Sequence, residues 1–480
     1  MDQVGSQCQL PKAIKWSKFL SLFIFAPVLI LALLEACDEG QREENKERNL
    51  PNVIFILADD LGIGDVGCYG QQFFKTPNID LLAAEGMRFI NHYSGAPVCA
   101  PSRCALITGK HTGHASIRQN HSQIGQGRVS LSSSDFTIGM LAKEAGYATA
   151  VFGKWGVGED GTDGIPNRRG FDEFFGYLNN DHSEFYFTDF LYENQDTLWI
   201  EENRDGQKKQ YTHDLFTAWA KKFIVEHSDI PFFLYLPYTI PHDLYQVPGE
   251  DSQPFFGSFI TDGKAEYDSV RSIYAGMITR MDRHVGEIMA LLKETGIDEK
   301  TLVLFSSDNG AVRPNVFGGD YFNSHGIYRG QKSDLYEGGI RTPLIARWPV
   351  KIQAGSTTAH VSAFWDFMPT LAEIAGVLHP DTDGISYLPA LMGKNNQQSH
   401  DYLYWEYTRK GVASQAARIG NMKVIRNDGI NSPIEVYDLV KDPGEQNNVA
   451  DTHPEVVSRG IEVFIEAHED NRHYPIDKIN

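Results

Sequence analysis

Cysteine is scarce in this chain: five in 480 residues, at positions 8, 37, 68, 99 and 104. Such spacing supports neither a disulfide framework nor a zinc site of paired cysteines. Cys68 and Cys104 read as small buried hydrophobes, and a bridge between Cys99 and Cys104 at one helix start has poor geometry. Positive charge is also in short supply. Lys and Arg total 43 against 63 Asp and Glu, a net charge of -20, so no basic field exists to gather nucleic acid or other polyanions from a distance. Any anionic ligand must be held by local cations or a metal. After residue 36 there are no apolar runs of membrane-spanning length, no internal repeats, and no low-complexity tract beyond a short polar piece following Cys37. What remains is a globular chain, 41% hydrophobic, with enough apolar material for one large core and a smaller second one.

The N-terminal stretch is the exception. Lys12, Lys15 and Lys18 precede an apolar run over 19–34 that ends in Leu34-Glu35-Ala36-Cys37. This charged-then-apolar order is that of an export signal. Its ending resembles a bacterial lipoprotein cleavage site with Cys37 as the lipidated residue; Glu35 departs from that pattern, and an ordinary signal peptide or a retained anchor are the alternatives. Asp38-Glu39 and Glu43-Glu44 then form an acidic tether with nothing to bury, similar to the export signals of surface lipoproteins in some Gram-negative bacteria. The expectation is a lipoprotein-type signal peptide over 1–36, a tether over 37–49, and a periplasmic or cell-surface protein that meets the membrane only through a lipid.

From 50 to 395 short apolar runs alternate with helical patterns, which predicts an α/β domain with a mostly parallel sheet flanked by helices. Buried strands are expected at 53–57, 148–152, 232–236 and 302–305, with helices at 78–85, 137–145, 214–227, 270–295 and 366–375. Past residue 396 the texture changes to strand-like pieces at 403–407, 416–419, 422–425 and 435–439, turns such as Asn427-Asp428-Gly429, and a closing helix at 454–468. This predicts a smaller C-terminal domain over 396–480, built as a short antiparallel sheet with one helix.

Chemistry gathers where the four strands stop. Just beyond their ends lie Asp59-Asp60, Lys154, His242 and Asp308-Asn309. In a parallel sheet these collect along one edge, where open α/β folds bind ligands. A single strand-end Asp commonly caps a turn, but two acidic clusters after two buried strands are harder to explain so. Asp59, Asp60, Asp308 and Asn309 offer only oxygen and would repel one another without a cation, which points to a hard divalent ion, calcium first and magnesium second. Val98-Cys99-Ala100-Pro101-Ser102-Arg103, followed by Leu106-Ile107-Thr108-Gly109, then reads as a helix start, with Pro at the first helical position and Ser at its opening. Free N–H groups and the Arg103 guanidinium there make an anion site beside a reactive sulfur.

The Cys-x-Pro-Ser-Arg pattern with its trailing Thr-Gly resembles the signature of type I sulfatases, arylsulfatase-like enzymes on an alkaline-phosphatase-like scaffold, in which the cysteine is oxidised after translation to formylglycine. The resemblance extends over about 50–445: Asn52-Val53-Ile54 through Asp59-Asp60, Gly64-Asp65, Cys68-Tyr69-Gly70 and Thr76-Pro77-Asn78, then Gly153-Lys154-Trp155, Gly170-Phe171-Asp172, Ser307-Asp308-Asn309-Gly310, Lys332 through Arg341 and Pro343, and Tyr437-Asp438-Leu439 with Asp442-Pro443 and Glu445. It implies Asp59, Asp60, Asp308, Asn309 and residue 99 as calcium ligands. It implies Cys99 as the formylglycine nucleophile made by a formylglycine-generating or anaerobic sulfatase-maturating enzyme, and Arg103, Lys154 and Lys332 as holders of the sulfate. One hydroxyl of the aldehyde hydrate attacks sulfur, and the second lets the sulfated species collapse to aldehyde and release sulfate. His242, in Thr239-Ile240-Pro241-His242, matches the family's Pro-His segment and is the expected general acid, beside Lys332.

The chain departs from the family at Gly156, where many sulfatases carry a histidine after Lys-Trp. His111, His114, His182 and His325 are the candidates to replace it or to contact substrate, although a lone His is more often structural. Aromatic-rich irregular segments at 179–186, 238–245 and 312–328 suit a sugar pocket, so a sulfated carbohydrate is the expected substrate, ahead of a small aryl or alkyl sulfate. Two other readings compete: a phosphomonoester or phosphonate hydrolase of the same scaffold, which generally uses Ser or Thr and more His ligands, and a sugar-binding surface lipoprotein without catalysis.

Overall fold

Ten strands form one twisted sheet, described together with the rest of the chain in a computed structural model that covers residues 50–121, 129–409 and 411–476. The expected signal peptide and tether lie outside the described residues. The strands are β1 (Asn52–Ala58), β2 (Met87–Tyr93), β3 (Ala148–Lys154), β4 (Glu173–Tyr177), β5 (Phe190–Glu193), β6 (Asp196–Trp199), β7 (Phe232–Pro237), β8 (Thr301–Ser307), β9 (Leu344–Arg347) and β10 (Ser356–Ala363), in the order β10-β2-β9-β8-β1-β7-β3-β4-β5-β6. β8, β1, β7, β3 and β4 run parallel. β9 and β5 run against their neighbours, so the sheet is mixed though mostly parallel. The four predicted strands are all present, each slightly longer than expected, and every residue of β1, β7 and β8 is buried. Continuous apolar runs of this kind are stable only with both sheet faces covered.

The cover comes from α1 (Pro77–Ala84), α2 (Cys99–Thr108), α3 (Ile138–Glu144), α4 (Thr212–Glu226), α5 (Asp268–Glu294) and α6 (Phe367–Ala375). α5 buries Tyr274, Ile278, Met281, Val285, Ile288 and Leu292, the three-and-four spacing of one helical face. α3 starts where Thr137 Oγ1 accepts the Met140 N–H at 3.2 Å. The strands not foreseen are the flanking ones. β10 and β6 expose much of their polar sequence, and β2 alternates buried with half-exposed positions, so none carries the continuous apolar run that marks a central strand.

Near the C-terminus β11 (Leu403–Arg409), β12 (Val412–Ile419), β13 (Met422–Arg426) and β14 (Ile434–Asp438) make a four-stranded antiparallel sheet in sequence order. One face packs on α7 (Pro454–Glu466) through Tyr404, Val424, Val436, Val463 and Phe464. The other joins Trp405, Ala416 and Ile425 to Tyr93, Ile340 and Trp365 of the large layer. The described residues from Pro51 onward thereby form one compact unit.

Candidate active site

The order β8-β1-β7-β3 brings the predicted strand-end residues to one edge. Asp59 and Asp60 follow β1, Lys154 is the last residue of β3, His242 follows β7, and Asp308 and Asn309 follow β8. Asp60 adopts a left-handed conformation (φ 64°) that turns the chain, and its N–H donates to Asp308 Oδ1 at 3.2 Å. Close approach of β3 to β7 requires Gly153: φ is 131°, and a Cβ there would lie 2.1 Å from the Pro237 carbonyl oxygen.

α2 delivers Cys99 and Arg103 from the far side. The helix begins at Cys99 itself and Pro101 is its third residue, not the first as the sequence suggested. First-turn N–H groups have no partner within the helix, so Pro at any of these positions costs no helical hydrogen bond. Ser102 caps nothing; its Oγ accepts the Gly95 N–H at 3.0 Å and fastens the preceding loop.

The side chains converge in a largely buried, highly charged nest. Cys99 Sγ lies 3.4 Å from Asp59 Oδ1. Lys154 Nζ is 2.6 Å from Asp59 Oδ2, and Lys332 Nζ, supplied by the loop after β8, is 2.6 Å from Asp60 Oδ2. Arg103 pairs with Asp308 Oδ2 at 2.8 Å and Asp59 Oδ2 at 3.4 Å, and donates to the Lys154 carbonyl at 2.7 Å. His242 Nε2 lies 3.0 Å from Lys332 Nζ and 3.5 Å from Asp60 Oδ2. Its Nδ1 faces the carbonyl and the carboxylate of Asp243, the latter at 2.9 Å, which makes Nδ1 the N–H end. Tyr186 donates to the carbonyls of Thr239 (2.7 Å) and His242 (2.6 Å), while His213 Nε2 accepts the Thr239 N–H at 2.9 Å, so the segment bearing His242 is held from below.

Electrostatics follow from burial. Desolvation would raise Asp59, but Lys154, His242, Arg103 and Lys332 outweigh it and hold this carboxyl well below the usual range. Asp308 moves the other way, pushed up by burial first and by Asp59 next, against Arg103. Burial and Lys332 lower His242, yet Asp60, Asp59 and the Asp243 bond win and raise it. Each of these carboxylates has a cation beside it, Asp59 with Lys154 and Arg103, Asp60 with Lys332 and Asp308 with Arg103, so it is the donor atoms and not uncompensated charge that point to a divalent ion.

The donor set fits such an ion. Ligating atoms of Asp59, Asp60, Cys99 and His242 lie within 4.8 Å of one another. Asn309 spends its amide on Asp60 Oδ1 (2.7 Å) and the Gly310 carbonyl (2.9 Å), leaving a buried Oδ1 with no hydrogen-bond partner. An orphaned buried acceptor costs about 1–3 kcal/mol, unless a cation takes it. Carboxylate and amide oxygens suit calcium or magnesium, whereas a thiolate at position 99 would be a soft ligand for a hard ion.

The structure does not bring the remaining predicted histidines into this nest. His111 and His114 follow the end of α2, a helix about 15 Å long, opposite Cys99. They stack on each other at 4.3 Å, and both face Asp383, His114 Nδ1 at 2.8 Å. Gly113 N–H donates to His111 Nδ1 at 3.1 Å, Nε2 stands 3.7 Å from Asp383, and the His111 backbone N–H donates to the same carboxylate at 2.9 Å. His182 Nε2 pairs with Thr188 Oγ1 at 2.9 Å and its ring stacks on Phe190, and His325 Nε2 pairs with Asp320 at 3.0 Å. At Gly156, φ is 77°, and a Cβ would lie 3.1 Å from both Arg103 Cδ and Asn180 Oδ1. The space beside residue 156 is therefore filled by Asn180, whose buried Oδ1 has no partner. Sequence reasoning missed Asn180, Asp243, Tyr186 and His213. Asn180, Tyr186 and Asp243 fall inside the aromatic-rich segments 179–186 and 238–245, whereas nothing in the sequence singled out His213.

The "Sulfatase" family model matches residues 51–377, and the "N-sulphoglucosamine sulphohydrolase, C-terminal" model matches 324–463. An N-acetylgalactosamine-6-O-sulfatase of Bacteroides thetaiotaomicron is 31% identical over 89% of this chain and 95% of its own length. Human steryl-sulfatase is 30% identical over 75% and 73%. Among solved structures, Ps i-CgsB superposes with a TM-score of 0.74 at 29% identity, covering 87% of this chain and 92% of its own, and is also known in complex with k-i-k-neocarrahexaose.

Proposed function

The chain belongs to the sulfatase family and is a sulfuric ester hydrolase, and on that premise we propose that its substrate is a sulfated carbohydrate, its nucleophile a formylglycine made from Cys99, and its metal calcium. The observation that carries this reading is the position of Cys99, 3.4 Å from Asp59 in a nest of buried carboxylates and sulfate-holding cations. A thiolate is ill-suited there; a hydrated aldehyde offers two hydroxyls. The sugar-sulfatase name of the Bacteroides relative and the hexasaccharide bound to Ps i-CgsB support a carbohydrate substrate.

Asp59, Asp60, Asp308 and Asn309 would hold the ion, together with residue 99, and calcium is preferred because the all-oxygen set is rich in carboxylate. When bound, the ion adds Lewis-acid stabilisation to the charge on the sulfate oxygens. Arg103, Lys154 and Lys332 hold those oxygens and stabilise the same charge. A hydroxyl on residue 99 attacks sulfur, with Asp59 Oδ1 the nearest acceptor for its proton, while the bond from sulfur to the sugar oxygen breaks. In its imidazolium form, which Asp60, Asp59 and Asp243 favour, His242 carries a proton on Nε2 as well as on Nδ1 and gives the Nε2 proton to the leaving oxygen, with Lys332 beside it. Loss of the second hydroxyl's proton re-forms the aldehyde as the bond to sulfate breaks.

This reading requires a formylglycine-generating or anaerobic sulfatase-maturating enzyme as partner. The Lys-rich then apolar start and Cys37 support export to the periplasm or cell surface with a lipid anchor. Peptide mass spectrometry over residue 99, after co-expression with a maturating enzyme, should find formylglycine. Cys99→Ala should release no sulfate while keeping the native circular dichroism. A wholly unmodified thiol together with no sulfate release from sulfated oligosaccharides would sink the proposal.

A further inference from the structure

We propose that the cleft between loops 63–73 and 322–328 is a second carbohydrate subsite, which takes an uncharged sugar residue of the same chain that presents its sulfate to the nest at Cys99. The inference rests on the carbohydrate-sulfatase reading above and adds to it where the neighbouring part of the substrate sits.

Position is the first argument. Ile63 lies three residues after Asp60, and Tyr328 lies four residues before Lys332. At about 3.3–3.6 Å per residue, both walls begin within about 10–14 Å of the charged nest. That is the reach of an oligosaccharide, beyond that of a single sulfated sugar. The cleft encloses about 400 Å³, within the roughly 300–1,000 Å³ usual for small-ligand sites.

Composition is the second. In a chain with net charge -20, no residue lining this cleft is charged. Phe73 (45% exposed) and Ile327 (70% exposed) present apolar surface to solvent, and the exposed amides of Gln72 and Asn323 stand beside them. Exposed apolar surface with a polar rim marks a binding site. An aromatic face for the C–H side of a pyranose, with amides for its hydroxyls, matches a neutral sugar; the nearest guanidiniums, Arg88 over Tyr69 and Arg341 over Tyr328, lie behind the lining rings and are engaged by the Cys68 carbonyl and by Glu337.

Rigidity is the third. Buried Asp65 accepts from Gly62 N–H (2.9 Å), Ser324 Oγ (2.6 Å) and Tyr274 Oη (2.7 Å), tying both walls to one carboxyl group. Gln71 Nε2 donates to the carbonyls of Gly64 (3.0 Å) and Phe322 (3.3 Å) across the same gap. Tyr69 Oη donates to the Phe89 and Leu344 carbonyls, both at 3.0 Å, and Arg341 lies 4.6 Å over the Tyr328 ring. The walls are therefore formed before the ligand arrives, which lowers the ordering cost of binding.

The test compares three probes on the matured enzyme: 4-nitrophenyl sulfate, a monosaccharide sulfate, and the sulfated hexasaccharide best cleaved in a panel of carrageenan and glycosaminoglycan fragments. The subsite predicts a kcat/KM for the hexasaccharide about tenfold or more above that for the monosaccharide. It also predicts that Phe73→Ala and Asn323→Ala each remove most of that advantage while leaving 4-nitrophenyl sulfate turnover within about twofold. Calorimetric titration of Cys99→Ala with the hexasaccharide should show the same loss when Phe73→Ala is added. Equal loss on all three probes, or no loss on any, overturns the subsite and leaves the sulfatase reading intact. Absence of sulfate release from every carbohydrate, with 4-nitrophenyl sulfate still cleaved, overturns the carbohydrate reading and the subsite with it.

Discussion

At the scale of residues, the departure at position 156 has a steric explanation. A histidine there would need φ near 77° and would press on Arg103 and Asn180. Gly156→His is thus expected to lose about 1–3 kcal/mol of stability and to gain no activity, as chemical denaturation and sulfate release would show; a faster enzyme of unchanged stability would contradict the packing described. Asp308 makes a second case, since it faces both Asp60 N–H and Arg103 and contributes a buried carboxyl group to the nest. Asp308→Ala should weaken calcium binding by about tenfold or more in calorimetry, and chelation should lower the melting temperature of the wild type more than that of the variant.

Among the elements, the decisive fact is that β8, β1, β7 and β3 are adjacent and parallel, because this turns four separate strand ends into one site. The loops that follow are then locked together by Asp65. Burial pushes its carboxyl up to about 6, against hydrogen bonds from Ser324, Tyr274 and Gly62. A carboxyl raised in the folded state favours folding fully below about pH 4 and loses that contribution as pH rises through about 6. Relative to wild type, Asp65→Asn should therefore become more favourable by on the order of 3 kcal/mol between pH 4 and pH 7. Urea melts at both pH values measure this, and a change of opposite sign would mean that the folded protein stabilises the anion.

Over the whole molecule, the two sheets are joined by buried charge as well as by Trp405 and Trp365. Fully buried Lys423 of β13 lies 2.9 Å from Glu337 and 3.4 Å from Glu445, while Glu337 also accepts from Arg341 and Tyr93, each at 2.7 Å. Removing Lys423 leaves buried Glu445 without its cation and Glu337 with Arg341 alone. Lys423→Met should accordingly cost about 3–5 kcal/mol and lower the melting temperature of the entire unit in one transition. A separate early transition of the small sheet would show instead that it unfolds independently.

Much of this protein is legible from its residues alone. The continuous apolar runs of β1, β7 and β8 can be stable only inside a covered sheet, and the polar groups that end them are local to the chain; the order of motifs from Asp59 to Glu445 adds the family. The amphipathic period of α5 and the turn-separated pieces after residue 403 are equally local patterns. What tertiary structure decided is which groups meet. No spacing in the sequence says that Asn180 fills the room beside Gly156, that Tyr186 and His213 support the segment of His242, or that His111 and His114 face Asp383 at the far end of α2. The sequence determined the chemistry because residue type and strand ends are written along the chain. Packing decided the partners because proximity across separations of 24 to 272 residues is set only when the sheet closes and the side chains fill its space.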